Sequence, residues 1–392
     1  MGDLVLGPFT VGIDNVSPDT ALPKGAVRDA VNGNFNRTGQ FESRAGFELA
    51  MAASNVHSLW TSPSGMTLCG NGAALCRVTV DDLGDLHLTQ IAVTGSAAPF
   101  SFCELMTGIL YTNPAGTGII DRGGAVSEIA PQTPPTPAAT PVHNGGLSAG
   151  AYGIAVSVQR AQESALSPIT FIDVDAGGGI RLDFAANSGN KLVYRTTANG
   201  DVLYLAASLP EAITTYTLGN SEVGRVAETR NLAPLLGGQI IRYWRGRVLL
   251  ACGNAIYISE PMRYGLYSPR DGFVQFASRV TMMEPVDGGI FVGNQQGVVF
   301  LSGSKPSEWS IDSTSALPPF EGSGSLVPAA IFGGDIGKSG DNVAVWLAKN
   351  GFVLGTAQGQ IIETQGDRIE IADGSLRAST FVHDRRLTTI LQ

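Results

Sequence analysis

The sequence predicts an all-β fold, and three observations predict it: abundant glycine, sparse charge, and a turn that returns at a fixed spacing. Glycine supplies 50 of the 392 residues, close to twice its ordinary share of about 7%. In a chain that is 43% hydrophobic and 15% charged, that favours short strands and tight turns over long helices. The same composition buries enough apolar surface to offset the entropy of ordering, which excludes a disordered tail or a nucleic-acid coat. The recurring turn is a short apolar run, a Gly or Asn turn and a second apolar run, the pattern of a β-hairpin. It occurs as MTLCGNGAALCRV around Gly72, ILYTNPAGTGII around Gly116, RVLLACGNAIYIS around Gly253, GIFVGNQQGVVFL around Gly297 and GFVLGTAQGQIIE around Gly359.

Taken in chain order, residues 1–50 read as an N-terminal arm and hairpin, with Asn32–Asn36 pairing with Gln40–Phe47 through Arg37-Thr38-Gly39. Residues 51–130 hold the first two repeats. Gly72 to Gly116 spans 44 residues, and so does Gly253 to Gly297. Setting aside the 93 residues of 131–223 brings Gly116 to Gly253 to the same 44. A period of about 40 to 45 with four strands per unit is that of a β-propeller blade. Residues 224–392 continue the ring, and the longer step to Gly359 places a loop elaboration in the Ser-, Pro- and Gly-rich stretch from Ser302 to Gly340. About five to six blades result, the last expected from the C-terminal STFVHDRRLTTILQ plus an N-terminal strand, which would remove the open edges. An irregular sandwich with coincidental spacing is the competing reading.

Segment 131–223 has its own rhythm. It opens on PQTPPTPAATP, which favours an extended, semi-rigid spacer. Short alternating runs follow: AYGIAVSVQ, GIRLDF, KLVYRTT, DVLYLAA and ITTYTL. With GAYGIAVSVQRAQESALSP, the segment resembles a fibronectin III or immunoglobulin-like β-sandwich, and no Cys lies between Cys103 and Cys252 to pin it with a disulfide.

Constellations for catalysis are missing. Cys69, Cys76, Cys103 and Cys252 are too few for a disulfide framework, and His57, His87, His143 and His383 stand at no metal-ligand spacing. No GxSxG, HExxH or Walker loop occurs. SGDNVAVW at Ser339–Trp346 matches the sialidase turn at Ser, Asp and Trp but puts Val343 where that turn has glycine. Neither an enzyme nor a cofactor is expected. No apolar run approaches the roughly 20 residues that span a bilayer, and neither a secretory signal nor a lipidation signal opens the chain.

Charge is acidic overall, 25 basic against 34 acidic residues for a net −9, which disfavours tight DNA binding driven by counterion release. One stretch runs the other way. Arg225, Arg230, Arg242, Arg245 and Arg247 face the single acid Glu228, and Arg385 and Arg386 form a smaller group with Arg377. With Arg28 and Arg44 of the arm, these are the candidate contacts to a partner or to passing DNA. Salt bridging between blades or subunits is the plainer reading.

The stretch ALPKGAVRDAVNGNFNRTGQFESRAGFE carries Leu22, Pro23, Gly25, Ala26, Arg28, Asp29, Ala30, Asn32, Gly39, Arg44 and Gly46. In this it resembles the opening of bacteriophage tail nozzle, tail-hub or packaged-DNA-stabilising proteins. YISEPMRYGLYSPRDGFVQFASRVTMMEPVDGGIFVGNQQGVVFLSG looks like the same family. The resemblance implies a structural virion protein: a ring, expected as a homo-hexamer, below the portal and adaptor, which retains packaged DNA and guides it during ejection. Implied partners are those adaptor and portal proteins, tail fibre or spike proteins, and DNA in transit. The implied place is the virion tail, assembled in the host cytoplasm. A receptor- or glycan-binding tail-tip propeller is the alternative, and a divergent glycosidase the third.

Overall fold

The computed structural model describes residues 7–36, 38–44, 46, 48–303, 305–337, 341–372, 377–383 and 386–391. Five antiparallel sheets recur along the chain. Sheet A comprises Val56–Thr61, Thr67–Asn71, Ala74–Val80 and Leu86–Val93, and sheet B comprises Ser101–Leu105, Gly108–Asn113, Gly116–Ile120 and Val126–Ser127. Sheet C has Ile240–Trp244, Arg247–Cys252, Ala255–Glu260 and Arg263–Tyr267, extended by Ala233–Pro234 and Phe273–Gln275. Sheet D is Val280–Val286, Gly289–Asn294, Gly297–Ser302 and Ser310–Ser313, and sheet E is Ser325–Pro328, Asn342–Ala348, Gly351–Gly355 and Ile361–Glu363. In A, B, D and E each strand pairs with the next in sequence. This all-β plan of repeated four-stranded antiparallel sheets is consistent with a β-propeller.

The sheets stack face to face in chain order, which explains their composition. Within sheet D, Met283, Ile290, Val292 and Leu301 pack on Leu249, Ile256 and Ile258 of sheet C. The alternate residues Met282, Phe291, Val298 and Phe300 pack on Ala344, Trp346 and Val353 of sheet E. A strand buried on both faces loses the usual alternation of apolar and polar residues, so Gly289–Asn294 is buried along its whole length. Leu68 and Leu75 of sheet A meet Phe102 and Ile109 of sheet B, and Cys103 and Leu110 of B meet Val248 and Leu250 of C.

The true structural step is 42 residues. Hydrogen bonds join Ser58 to Phe100, Arg242 to Glu284, Trp244 to Val286, Arg245 to Asp287 and Arg279 to Glu321, each pair 42 apart in sequence. The 44-residue spacing from Gly72 to Gly116 and from Gly253 to Gly297 overstates it by two for a local reason. Gly72 and Gly253 lie inside their turns, at φ 58° and 61°, whereas Gly116 and Gly297 open the following strand. The expectation for Gly359 is corrected too. The first four glycines mark the connection between second and third strands, but Gly359 lies between the third and fourth strands of sheet E. The position equivalent to Gly297 is Gly351, which pairs with Ala348 across the second turn.

A second turn recurs at five places, with a short polar residue first and Gly fourth. Asp81 Oδ1 accepts from the amides of Leu83 and Asp85, both at 2.9 Å, and Asp121 Oδ1 accepts from Gly123 at 2.8 Å and Ala125 at 2.9 Å. Asn36, Ser62 and Thr356 make the equivalent bond to the fifth residue, at 2.9, 2.9 and 3.1 Å. The fourth residue turns left-handed, φ 90° at Gly84 and 91° at Gly124, where a Cβ would be strained. Side chain and glycine together close each hairpin at a fixed register.

Between sheets B and C, seven strands form two sheets. Ala138–Val142, Gly179–Asp183 and Thr215–Leu218 make one, and Thr170–Val174, Gly150–Gln159, Asn190–Arg195 and Tyr204–Leu209 the other. Ile180, Leu182 and Leu218 of the first share a core with Tyr152, Ile154, Val156 and Val193 of the second. The proline-rich stretch is therefore a spacer only in its first half. From Ala138 it is an edge strand paired with Gly179–Asp183, a place where Pro141 is tolerated because an edge does not need every N–H. The ESALSP bend is ordered by its serines: Ser164 and Ser167 hydroxyls accept from the amides of Val158 and Val156 at 2.9 and 3.0 Å.

The expected shared sixth blade is not formed as a single sheet among the described residues. Ala378–His383 and Arg386–Leu391 make a two-stranded hairpin whose Val382 and Leu387 pack on sheet E. Gly33–Phe35 and Phe41–Ser43 make a separate hairpin, touching the first where Asn34, with its amide oxygen turned to it, accepts from Arg386 Nη1 at 2.9 Å. The arm is held elsewhere. Asn15 bonds Glu370 through both side-chain amide atoms, at 2.9 and 2.8 Å, and its N–H donates to Arg368 O at 3.0 Å. Asp14 anchors that turn, its carboxylate held below the usual range first by the Ser17 amide.

Candidate functional site

The arginines that stand together in sequence are dispersed by strand alternation and turns. Arg242 lies on the first strand of sheet C, where its side chain reaches the first strand of sheet D. Its Nη2 donates to Glu284 Oε1 at 2.7 Å and its Nε to Oε2 at 3.2 Å, a two-point pairing of guanidinium and carboxylate. Nη1 adds Ser101 Oγ of sheet B at 3.2 Å. Burial opposes the charge on Arg242, and the Glu284 carboxylate outweighs that, leaving the guanidinium pKa above its ordinary value. Three successive sheets are thus tied at their first strands.

Arg225 and Glu163 form a second centre. Glu163 is 7% exposed, and its Oε1 accepts from Ser157 Oγ at 2.7 Å, Tyr194 OH at 2.8 Å and Thr229 Oγ1 at 3.3 Å. Its Oε2 accepts from Arg225 Nη2 at 2.8 Å. Arg225 also meets Glu228 at 3.5 Å, and Glu228 meets Arg263 of sheet C. This chain of charges runs from the segment between sheets B and C into sheet C itself. Burial first, then the neighbouring Glu163 carboxylate, pushes the Tyr194 hydroxyl up.

The remaining candidates serve backbone or the arm. Arg230 donates to Asp201 O at 2.7 Å, Arg245 to Asp287 O at 2.5 Å, and Arg247 to Ser259 O at 2.8 Å. Arg245 also lies 4.7 Å over the Trp244 ring. Arg28 pairs with Asp19 at 2.5 Å. Arg44 is exposed next to the N-terminal hairpin, Arg386 meets Asn34, and Arg385 lies outside the described residues, as does Arg37 of the predicted turn. No single face gathers Arg225, Arg230, Arg242, Arg245 and Arg247 as free cations.

His57 is structural: its Nε2 and Nδ1 lie 3.0 Å from Gly72 O and Ser58 Oγ, and its ring stacks on Phe100 at 5.9 Å. The sialidase-like stretch from Asn342 on is a core strand of sheet E, and Trp346 is fully buried against Phe291 at 5.5 Å; Ser339 and Gly340 lie outside the described residues. Among the described residues no group of three or more metal-ligating side chains converges, and no helix is long and apolar enough to cross a membrane. Glu163, Tyr194 and Glu284 were not singled out from sequence. The signal for Glu284 was available, since it stands one 42-residue step after Arg242.

The thiols give a direct check on this packing. Burial pushes Cys103 up to about 12 and also raises Cys69 and Cys76, while Cys252 is exposed. Iodoacetamide at pH 8 is expected to label native protein once, at Cys252, with the other three labelled only in denaturant. Labelling of native Cys69 or Cys76 at the rate of Cys252 would contradict the burial of sheet A.

No family model and no curated protein sequence matches the chain. Among solved structures, the chain is similar to a streptogramin B lyase at 13% identity and TM-score 0.34, covering 84% of this chain and 87% of that one. It is similar to the AfRom2 CNH domain at 8% identity and TM-score 0.27, over 86% and 93% of the two chains. The extracellular domain of the one-component system BT4673 from B. thetaiotaomicron gives 11% identity and TM-score 0.25, over 89% of this chain and 52% of that one. At these scores the likenesses say nothing about chemistry.

Proposed function

We propose that the chain is a structural virion protein, a ring-forming nozzle or tail hub that sits below the portal and adaptor of a tailed bacteriophage. The observation that carries this reading is the resemblance of residues 22–46, with that of 257–303, to this family. In the ring, six copies pack propellers around an axial channel, hold packaged DNA until ejection and then pass it. Segment 131–223 acts as an inserted immunoglobulin- or fibronectin III-like sandwich that docks a neighbour or lengthens the channel. Partners are the adaptor above, fibres or spikes beside it and DNA in transit; the protein works in the virion tail and carries out no turnover.

What supports a mechanical role is how charge is used. Arg242, Arg225 and Arg245 each donate to an acceptor of the protein itself, Glu284, Glu163 and Asp287 O, which makes these three less available to grip a phosphate backbone. A conduit benefits from that, because retained cations slow a polyanion by counterion exchange. Electron microscopy of the full chain with its adaptor ring tests the reading. Rings on the adaptor support it, whereas a monomer that binds purified host glycan and ignores the adaptor favours the tail-tip alternative.

A further inference from the structure

First strands of successive sheets lie against one another, as Arg242 and Glu284 show, and the outer strands of D and E line an open cleft of about 530 Å³. Its floor is apolar: Phe300, packed on Phe291 at 4.7 Å between ring centroids, and Ile361. Its walls are polar and uncharged except for one group. Asp312 comes from the last strand of sheet D, and Gln358 and Gln360 from the turn before the last strand of sheet E. Ser313, Thr314 and Ser315 follow Asp312 along that wall, and no Lys, Arg or His lines the cleft.

Two details make this more than a gap. Asp312 is oriented, since its Oδ2 accepts from Ser302 Oγ at 2.9 Å and Ser310 Oγ at 3.1 Å, and among the described residues no bond occupies Oδ1. Gln358, Gln360 and Ser313 are exposed, and their side chains bond to no other described residue. Gly359 seats the turn against the ring, because a Cβ there would stand 2.6 Å from Phe300. The cleft therefore combines an aromatic and aliphatic floor, a fixed carboxylate acceptor and two side-chain amides that both donate and accept.

We propose that this cleft binds a neutral carbohydrate chain. Sugar rings offer an apolar C–H face for the floor and many hydroxyls for the amides and Asp312. An anionic polymer is disfavoured by the lone carboxylate and the lack of a cation. The site is independent of the nozzle reading, since it uses the outer ends of two sheets and none of the residues in the arginine pairs.

Saturation-transfer NMR and calorimetry on the full chain test it, with linear hexasaccharides of glucose, mannose and galactose as probes. At least one is expected to bind, with D312A and Q358A each lowering affinity tenfold or more while leaving the melting curve unchanged, as befits exposed side chains. Absence of transfer from all three sugars overturns the proposal. So does sugar binding that D312A and Q358A leave intact, the result expected if the sugar sits elsewhere on the chain. Ring assembly on the adaptor is read separately, so either claim can fail alone.

Discussion

Replacing Arg242 by Met is expected to lower the free energy of unfolding by about 3–5 kcal/mol, the usual cost of stranding one member of a buried ion pair. The Glu284 side chain is only 3% exposed and that of Arg242 22%, so water cannot take over the lost partner. Ser101 Oγ also loses its donor from Nη1. Arg242→Lys should recover only part, because an ammonium cannot reproduce the two-point fork. The paired change R242M/E284L should be far milder than either single change, since it removes both charges together. Urea melts of the four variants measure this. Equal losses for R242M and the double variant would mean that the pair is not what joins sheets C and D at their first strands.

Glu163→Ala is expected to cost a similar amount, about 3–5 kcal/mol, by leaving buried hydroxyls of Ser157, Tyr194 and Thr229 without their acceptor and Arg225 with only the longer Glu228 contact. Glu163→Gln keeps an acceptor for the hydroxyls and loses only the charge, so its effect should be smaller. The same centre sets a pH dependence. Tyr194 has its folded pKa raised above the ordinary value of about 10. Its contribution to stability is therefore complete below about pH 10 and is lost as pH rises through the folded value. Tyr194→Phe should flatten that alkaline loss. A melt series from pH 8 to 11 with the same slope in wild type and Y194F would place the alkaline sensitivity elsewhere.

How much of this could be read from the sequence follows from what repeats. The hairpins around Gly72, Gly116, Gly253 and Gly297 were legible because turn glycines and flanking apolar runs are local signals, and they gave the sheet count nearly right. Local signals cannot tell which turn of a sheet is being read. That is why Gly359, which closes a turn begun by Thr356, passed for the equivalent of Gly297, and why a mixture of turn and strand glycines gave 44 in place of 42. The polar-x-x-Gly turn at Asp81, Asp121 and Thr356 was equally visible and would have separated the two kinds. The partners of the arginine stretch were hidden for a different reason. Proximity along a strand does not place side chains together, since Arg242, Arg245 and Arg247 sit on a strand, at a turn and on the next strand. The partners of Arg242 and Arg245 come from the next repeat, as does that of Arg279, and are legible only once the exact step is known. Glu163 had no such signal, because its four donors come from three separate elements.

Symmetry of the assembled protein is the most direct measurement of the central claim. Averaged electron micrographs of the full chain on its adaptor are expected to show one closed cyclic ring of six copies around a channel wide enough for duplex DNA. A chain that stays monomeric with the adaptor present and is absent from the axis of mature particles would contradict it.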